Sequence, residues 1–239
     1  MSARIQELDW QRTAMGELSL RRRWDPQFGE YAYEVRLGEE FLMSSLFPAA
    51  EVAMTHLALA ELDGTDLTVA VGGLGLGYTA AAVLEYDTVD SLLVVEALAP
   101  VVDWHRRGLI PSGAALNADA RCRLVEGDFF GMVADTTGLD PEHPGRRFDA
   151  ILLDIDHSPL NLLHSSHAGF YTPEGLRRLA GHLTPGGVFA LWSDDPPEEE
   201  FTAALREVFH QPRAEVVPFV DRRGGNAANT IYLARAPGA

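Results

Sequence analysis

The sequence predicts an α/β protein: a seven-stranded, mostly parallel sheet ending in an antiparallel hairpin, with a small antiparallel β unit in front of it. Three observations carry that prediction. From Pro48 onward, short apolar strands alternate with helical patterns, as a parallel sheet with helical crossovers requires. A glycine-rich loop joins the first of these strands to its helix. No helical pattern separates the last two strands, so they must return antiparallel. A hydrophobic share of 46% in 239 residues supplies an ample core.

The elements follow in order. Residues 1–15 are polar without clear periodicity and are expected to be loosely ordered. Residues 16–47 read as the small antiparallel unit: Glu17–Arg21, Tyr31–Leu37 and Phe41–Met43 are short strands separated by turns at Trp24–Gly29 and Leu37–Glu40. Three short strands bury little alone, so the unit must pack on the main domain, residues 48–239. Pro48 opens a helix over Ala49–Leu62. Then come the strand Leu67–Val71 with the helix Tyr78–Tyr86, and Leu92–Val95 with Pro100–Leu109. Cys122–Val125 is followed by Phe129–Val133, and Ala150–Leu153 by a long loop. Pro173–His182 is a helix, Val188–Trp192 a strand, and Pro197–Phe209 a helix whose opening glutamates suit the positive end of its dipole. Ala214–Val220 and Thr230–Ala234 form the hairpin, joined by Asp221-Arg222-Arg223-Gly224-Gly225-Asn226.

Composition removes several function classes. All 19 basic residues are arginine, so no Schiff-base, P-loop or general-base lysine exists. A single cysteine, Cys122, excludes an internal disulfide framework and is expected in the core, as are Trp104 and Trp192. A net charge of −16 argues against a nucleic-acid surface and against anionic membranes. No apolar run is long enough to span a bilayer, and a cytoplasmic protein is the expectation.

The chemistry concentrates at strand ends. Val71-Gly72-Gly73-Leu74-Gly75-Leu76-Gly77-Tyr78 permits a tight turn and close backbone approach to a nucleotide, with Gly73, Gly75 and Gly77 as contact positions. Glu96 ends the next strand, where an acid accepts from ribose hydroxyls. Asp128 is placed either to accept from an adenine amino group or to cap the helix at Phe129, and the two roles are compatible. Asp154 ends the fourth strand, where a carboxylate can orient and deprotonate an attacking amine. Asp156, His157, His164 and His167 follow. Their loop gives no fixed metal-ligand spacing, so they read as polar residues around an acceptor pocket, with no metal expected.

From Gly38 to the hairpin the chain resembles the spermidine synthase family, aminopropyltransferases on the Rossmann-like class I methyltransferase fold. The shared stretches are Met54-Thr55-His56, the glycine loop, Val95-Glu96, Gly127-Asp128, Phe148–Asp154, Phe170-Tyr171 and Leu183-Thr184-Pro185-Gly186-Gly187. The resemblance implies decarboxylated S-adenosylmethionine as donor, Asp154 as the carboxylate activating an amine, and Asp156, His157 and Tyr171 around the acceptor. It also makes a homodimer the expectation.

The departures bear on the reaction. Gly75 stands where the family has an Asp that contacts the aminopropyl amine and would repel the carboxylate of intact S-adenosylmethionine. Phe41 replaces a donor-holding Gln, and Leu46–Val52 replaces the stretch Asp-Glu-x-x-Tyr-His-Glu. His157 replaces the second Asp of Asp-x-x-Asp, and Val71 the acid that ordinary methyltransferases carry before the glycines. Aminopropyl transfer, methyl transfer from intact S-adenosylmethionine to a non-polyamine acceptor, and a nucleotide-binding module without catalysis therefore all stand. An NAD-dependent dehydrogenase is disfavoured by the C-terminal hairpin.

Overall fold

The computed structural model describes residues 5–220 and 225–238. Four strands, β1 (Ile5–Thr13), β2 (Gly16–Asp25), β3 (Glu30–Leu37) and β4 (Glu40–Ser44), form an antiparallel sheet in sequence order. The expectation of a loosely ordered start is therefore corrected over residues 5–13. The register shift between Glu7 and Asp9 breaks the alternation that marks a strand in sequence. Its polar side chains meet the arginines of β2: Arg22 donates to Gln6 and Arg21 pairs with Glu7.

The main sheet has seven strands. These are β5 (Leu67–Gly72), β6 (Val89–Glu96), β7 (Cys122–Glu126), β8 (Phe148–Leu153), β9 (Leu183–Ser193), β10 (His210–Val220) and β11 (Asn226–Arg235). Their order is β10-β11-β9-β8-β5-β6-β7. The five strands from β9 to β7 run parallel; β11 runs antiparallel to β9, and β10, antiparallel to β11, returns in the direction of the five. The connection across the hairpin includes residues 221–224, which lie outside the described residues.

Among the described residues, seven α-helices flank the sheet: α1 (Ala49–Leu59), α2 (Tyr78–Leu84), α3 (Ala99–Arg106), α4 (Gly113–Ala118), α5 (Phe129–Ala134), α6 (Pro173–Gly181) and α7 (Glu199–Arg206). Alternate residues of each strand serve opposite faces. Val69, Val71, Leu92, Val94 and Leu152 join Met54, Val83, Trp104 and Leu116 on the α1–α4 side, where Leu18, Leu20 and Val35 of the small sheet also pack. Ala70, Leu93, Val95, Ile151 and Leu153 join Phe129, Leu176 and Phe201 on the other. Trp104 is fully buried, and its Nε1 donates to Asp9. Cys122 is half-buried against the first cluster, with its thiol pushed up to about 11 by burial and the neighbouring Asp119. Sequence did not reveal α4; six residues hold too few turns to show a period. No helix among the described residues is long and apolar enough to cross a membrane.

Strand order decides where a ligand can sit. Crossovers lead from β5 to β6 and β7 in one direction and to β8 and β9 in the other, so the carboxyl ends of β5 and β8 flank the switch point of the sheet. Gly72 is in register with both Val95 and Leu153. Gly73, Glu96 and Asp154 therefore leave the sheet side by side.

Candidate active site

The glycine loop is held from three directions. Gly73 donates to the Val95 carbonyl at 2.9 Å. The amides of Leu74 and Gly75 donate to Oε2 of Glu96 at 3.0 and 3.5 Å, and Leu98 N–H donates to Oε1 at 2.8 Å. The Gly75 carbonyl lies 2.9 Å from Nε2 of the buried His105. A carbonyl only accepts, so Nε2 carries the proton, and burial holds this ring below the usual histidine range. Glu96 is itself buried, which raises its carboxyl, while the backbone N–H donors counter the rise.

Two glycines are required by what surrounds them. At Gly73 (φ +94°) a Cβ would run into the backbone carbonyl of Asp154. At Gly75 (φ +47°) it would stand 2.7 Å from Sδ of Met43, on β4. The position without the family's Asp is thus a left-handed backbone roofed by a methionine.

Asp154 follows β8 and receives a 3.0 Å hydrogen bond on Oδ2 from Thr79 of α2. Thr79 is steadied by Thr55 of α1, which donates to its carbonyl. Across from Asp154 lies Glu51, in the first turn of α1. Burial pushes Asp154 up to about 6, against the opposing bond from Thr79. Burial first, and then the Asp154 charge, push Glu51 up to about 8. The two carboxyls repel as anions, and Asp154 is the stronger acid because a hydroxyl donates to it.

Two adjoining cavities meet at Asp154. The larger, about 280 Å³, is lined among others by Glu51, Tyr78, His157, Trp192, Asp194 and Asn229. The narrower, about 90 Å³, is lined by Gly73, Glu96, Leu98, Asp128 and Phe130. Gly75, Leu42, Met43 and Ile155 border both. Two buried polar atoms on residues of the larger cavity have no partner: Oε2 of Glu51 and Nε1 of Trp192.

The other predicted residues distribute as follows. Gly77 precedes α2 and borders the larger cavity. Asp128 caps α5, accepting from Phe130 N–H at 3.1 Å, and also borders the narrower cavity. Asp156 is buried and accepts from Leu163 N–H, Tyr171 O–H and the Nδ1 of His167, each at 2.8 Å. Asp156 and Tyr171 do not reach the walls of these two cavities; they tie down the loop after β8. Burial first, and then the Asp156 charge, raise the Tyr171 hydroxyl well above its ordinary value. His167 stacks on Phe130, His164 bonds Ser166, and His157 lies 3.0 Å from Glu40. The rings of His164 and His167 lie 5.9 Å apart while His157 turns to Glu40, and no metal-binding group of three occurs among the described residues.

Sequence reasoning missed Thr79, His105 and Asp194, and did not single out Glu51. Trp192, read as a core residue, does pack against the core, but the half-buried residue also borders the larger cavity and its buried nitrogen has no partner. Glu51 was legible only as part of a stretch departing from the family pattern. Nothing local says that it faces Asp154.

A glycine loop, a strand-end acid beneath it and a carboxylate at the switch point define the α/β class whose ligands sit beyond the carboxyl ends of a parallel sheet. The family model for the spermine/spermidine synthase domain matches residues 48–219, and the chain belongs to that family. It is similar to putrescine N-methyltransferase 3 of Nicotiana tabacum, 28% identical over 169 residues, a match spanning 68% of this chain and 40% of that protein. Among solved structures it resembles a spermidine synthase in complex with the transition-state analogue AdoDATO, with TM-score 0.72 and 18% identity over 96% of this chain and 73% of the other. Spermidine synthase from Thermotoga maritima gives TM-score 0.71 and 18% identity over 96% and 72%. At that identity the likeness is one of fold.

Proposed function

We propose that this chain is a transferase that moves an alkyl group, aminopropyl or methyl, from a sulfonium nucleotide to a small amine. The observation that carries the reading is Asp154, a half-buried carboxylate where a cavity floored by the glycine loop meets one lined by acidic and aromatic side chains. In this reading Gly73, Gly75 and Gly77 let the backbone approach the donor. The lone pairs that Glu96 keeps free receive the ribose hydroxyls, and Asp128 receives the adenine amino group. Donor binding needs more room than the narrower cavity offers, since ligand pockets usually run to about 300–1,000 Å³. Met43, a flexible side chain over Gly75, is the group that gives way.

The acceptor enters the larger cavity, with His157 in its wall. Asp154 first takes a proton from the entering ammonium; the freed nitrogen lone pair then attacks the carbon on S⁺, and the C–S bond breaks with its electrons going to sulfur. Positioning and proton removal are all that the protein must supply. The two carboxyls suit a cationic amine, and S-adenosylmethionine or its decarboxylated form is the donor.

One observation favours methyl transfer. Met43, Leu42 and Phe41 make the wall by Gly75 apolar, so the ammonium of an aminopropyl donor would meet a thioether where the family has a carboxylate. The name of the tobacco relative agrees with that form.

Asp154→Asn tests the reading. It should abolish turnover while methylthioadenosine still binds; unchanged turnover removes Asp154 from the mechanism. Titration with intact against decarboxylated S-adenosylmethionine then separates the two forms. A strong preference for the decarboxylated donor defeats methyl transfer.

A further inference from the structure

We propose that Glu51 is a second proton-carrying residue of the acceptor cavity, paired with Asp154 so that the two carboxyls share one proton until a cationic amine displaces it. The inference rests on the reading above, that the larger cavity receives an amine.

The geometry is the warrant. Glu51 comes from α1 and Asp154 from the end of β8, and both border one cavity. Oε2 of Glu51 is buried without a hydrogen-bond partner among the protein groups, so a proton, a ligand or a water has to complete it. Among the described residues, no arginine pairs with either carboxyl. Arg213 and Arg235, on the hairpin strands that pack against α1, are bound to Glu61 beyond its C-terminal end.

The other groups around the pair add little positive charge. Tyr78 of α2 hydrogen-bonds the Ser45 carbonyl, and its hydroxyl is raised by burial first and further by Glu51, Glu30 and Tyr33. Asp194, after β9, borders the same cavity, as does His157, which is engaged by Glu40. On α1 itself, His56 faces Tyr86. Two half-buried carboxylates on one cavity, with no arginine beside them, repel, and one retained proton relieves that repulsion.

An entering ammonium supplies the missing charge. Its arrival stabilises the doubly ionised pair, and the shared proton leaves to solvent. When the amine is activated, its own proton passes to Asp154 and is then shared with Glu51. Protons balance: one is released on binding, and one is taken from the nucleophile during transfer. Glu51 keeps Asp154 available as a base by relieving it of that proton.

The test is calorimetric. Putrescine is titrated into the protein with methylthioadenosine bound, near pH 7, in buffers of different ionisation enthalpy. The buffer dependence of the heat counts protons released. The wild type should release a number approaching one; Glu51→Gln should release almost none, while its melting temperature shows it folded. Glu51→Asp should retain release and guards against a merely steric effect of the first substitution. Equal release by wild type and Glu51→Gln overturns the inference and leaves the transferase reading in place. Failure of putrescine and of n-butylamine to bind the wild type at all removes both.

Discussion

Gly73→Ala probes the contact on which the candidate site depends. Gly73 has φ +94°, and a Cβ there would overlap the Asp154 carbonyl and lie 3.1 Å from Cγ1 of Ile155. The obstruction is backbone at the end of a paired strand, so no rotamer change relieves it. The left-handed backbone costs about 1–2 kcal/mol and overpacking about 1–3 kcal/mol. In a chain of this size each kcal/mol lowers Tm by about 2–4 °C, so the melting point should fall by about 4–20 °C. Methylthioadenosine affinity should fall with it, because the loop and Asp154 cannot both keep their places. Gly75→Ala is the internal comparison: it meets only the thioether end of Met43, so adding Met43→Ala should recover the packing part of its loss. Thermal unfolding and calorimetric titration read both effects. A Gly73→Ala protein with wild-type Tm and affinity would refute the claimed contact.

Other outcomes follow from the same geometry. Glu96→Gln replaces an acceptor-only group that faces three backbone N–H donors by an amide whose NH2 opposes at least one of them; it should cost about 1–3 kcal/mol, seen as a lower Tm. Met43→Ala should strengthen methylthioadenosine binding several-fold by opening the narrower cavity, and an unchanged Kd would show that Met43 does not obstruct the donor. Glu51 is raised in the folded state, so its contribution to stability is complete below the ordinary value of 4.5 and is lost as pH rises through about 8. Glu51→Gln should therefore gain on the wild type between those limits in denaturant unfolding, and parallel stability curves would contradict the raised carboxyl. If Asp154 is the base, turnover should climb as pH rises through about 6 and stay flat below neutrality in no variant that retains it.

Local pattern carried the sheet because strand and helix periods are properties of neighbouring residues. The seven main strands, the glycine loop and the strand-end acids Glu96 and Asp154 were readable for that reason. β1 was hidden by its bulge and α4 by its brevity. The acceptor side was less legible. The resemblance implied Asp156 and Tyr171 as acceptor residues, yet Tyr171 and His167 both bond Asp156, away from the walls of the two cavities.

By itself, then, the sequence determined the order of elements, the absence of lysine chemistry and the strand-end positions where ligands gather. The tertiary structure decided which groups meet there. Register set Gly73 against Asp154, packing of α1 on the sheet brought Glu51 to the same cavity, and β4 laid Met43 over Gly75. Those contacts join residues far apart in the chain, and their energies depend on burial and distance rather than on local residue order.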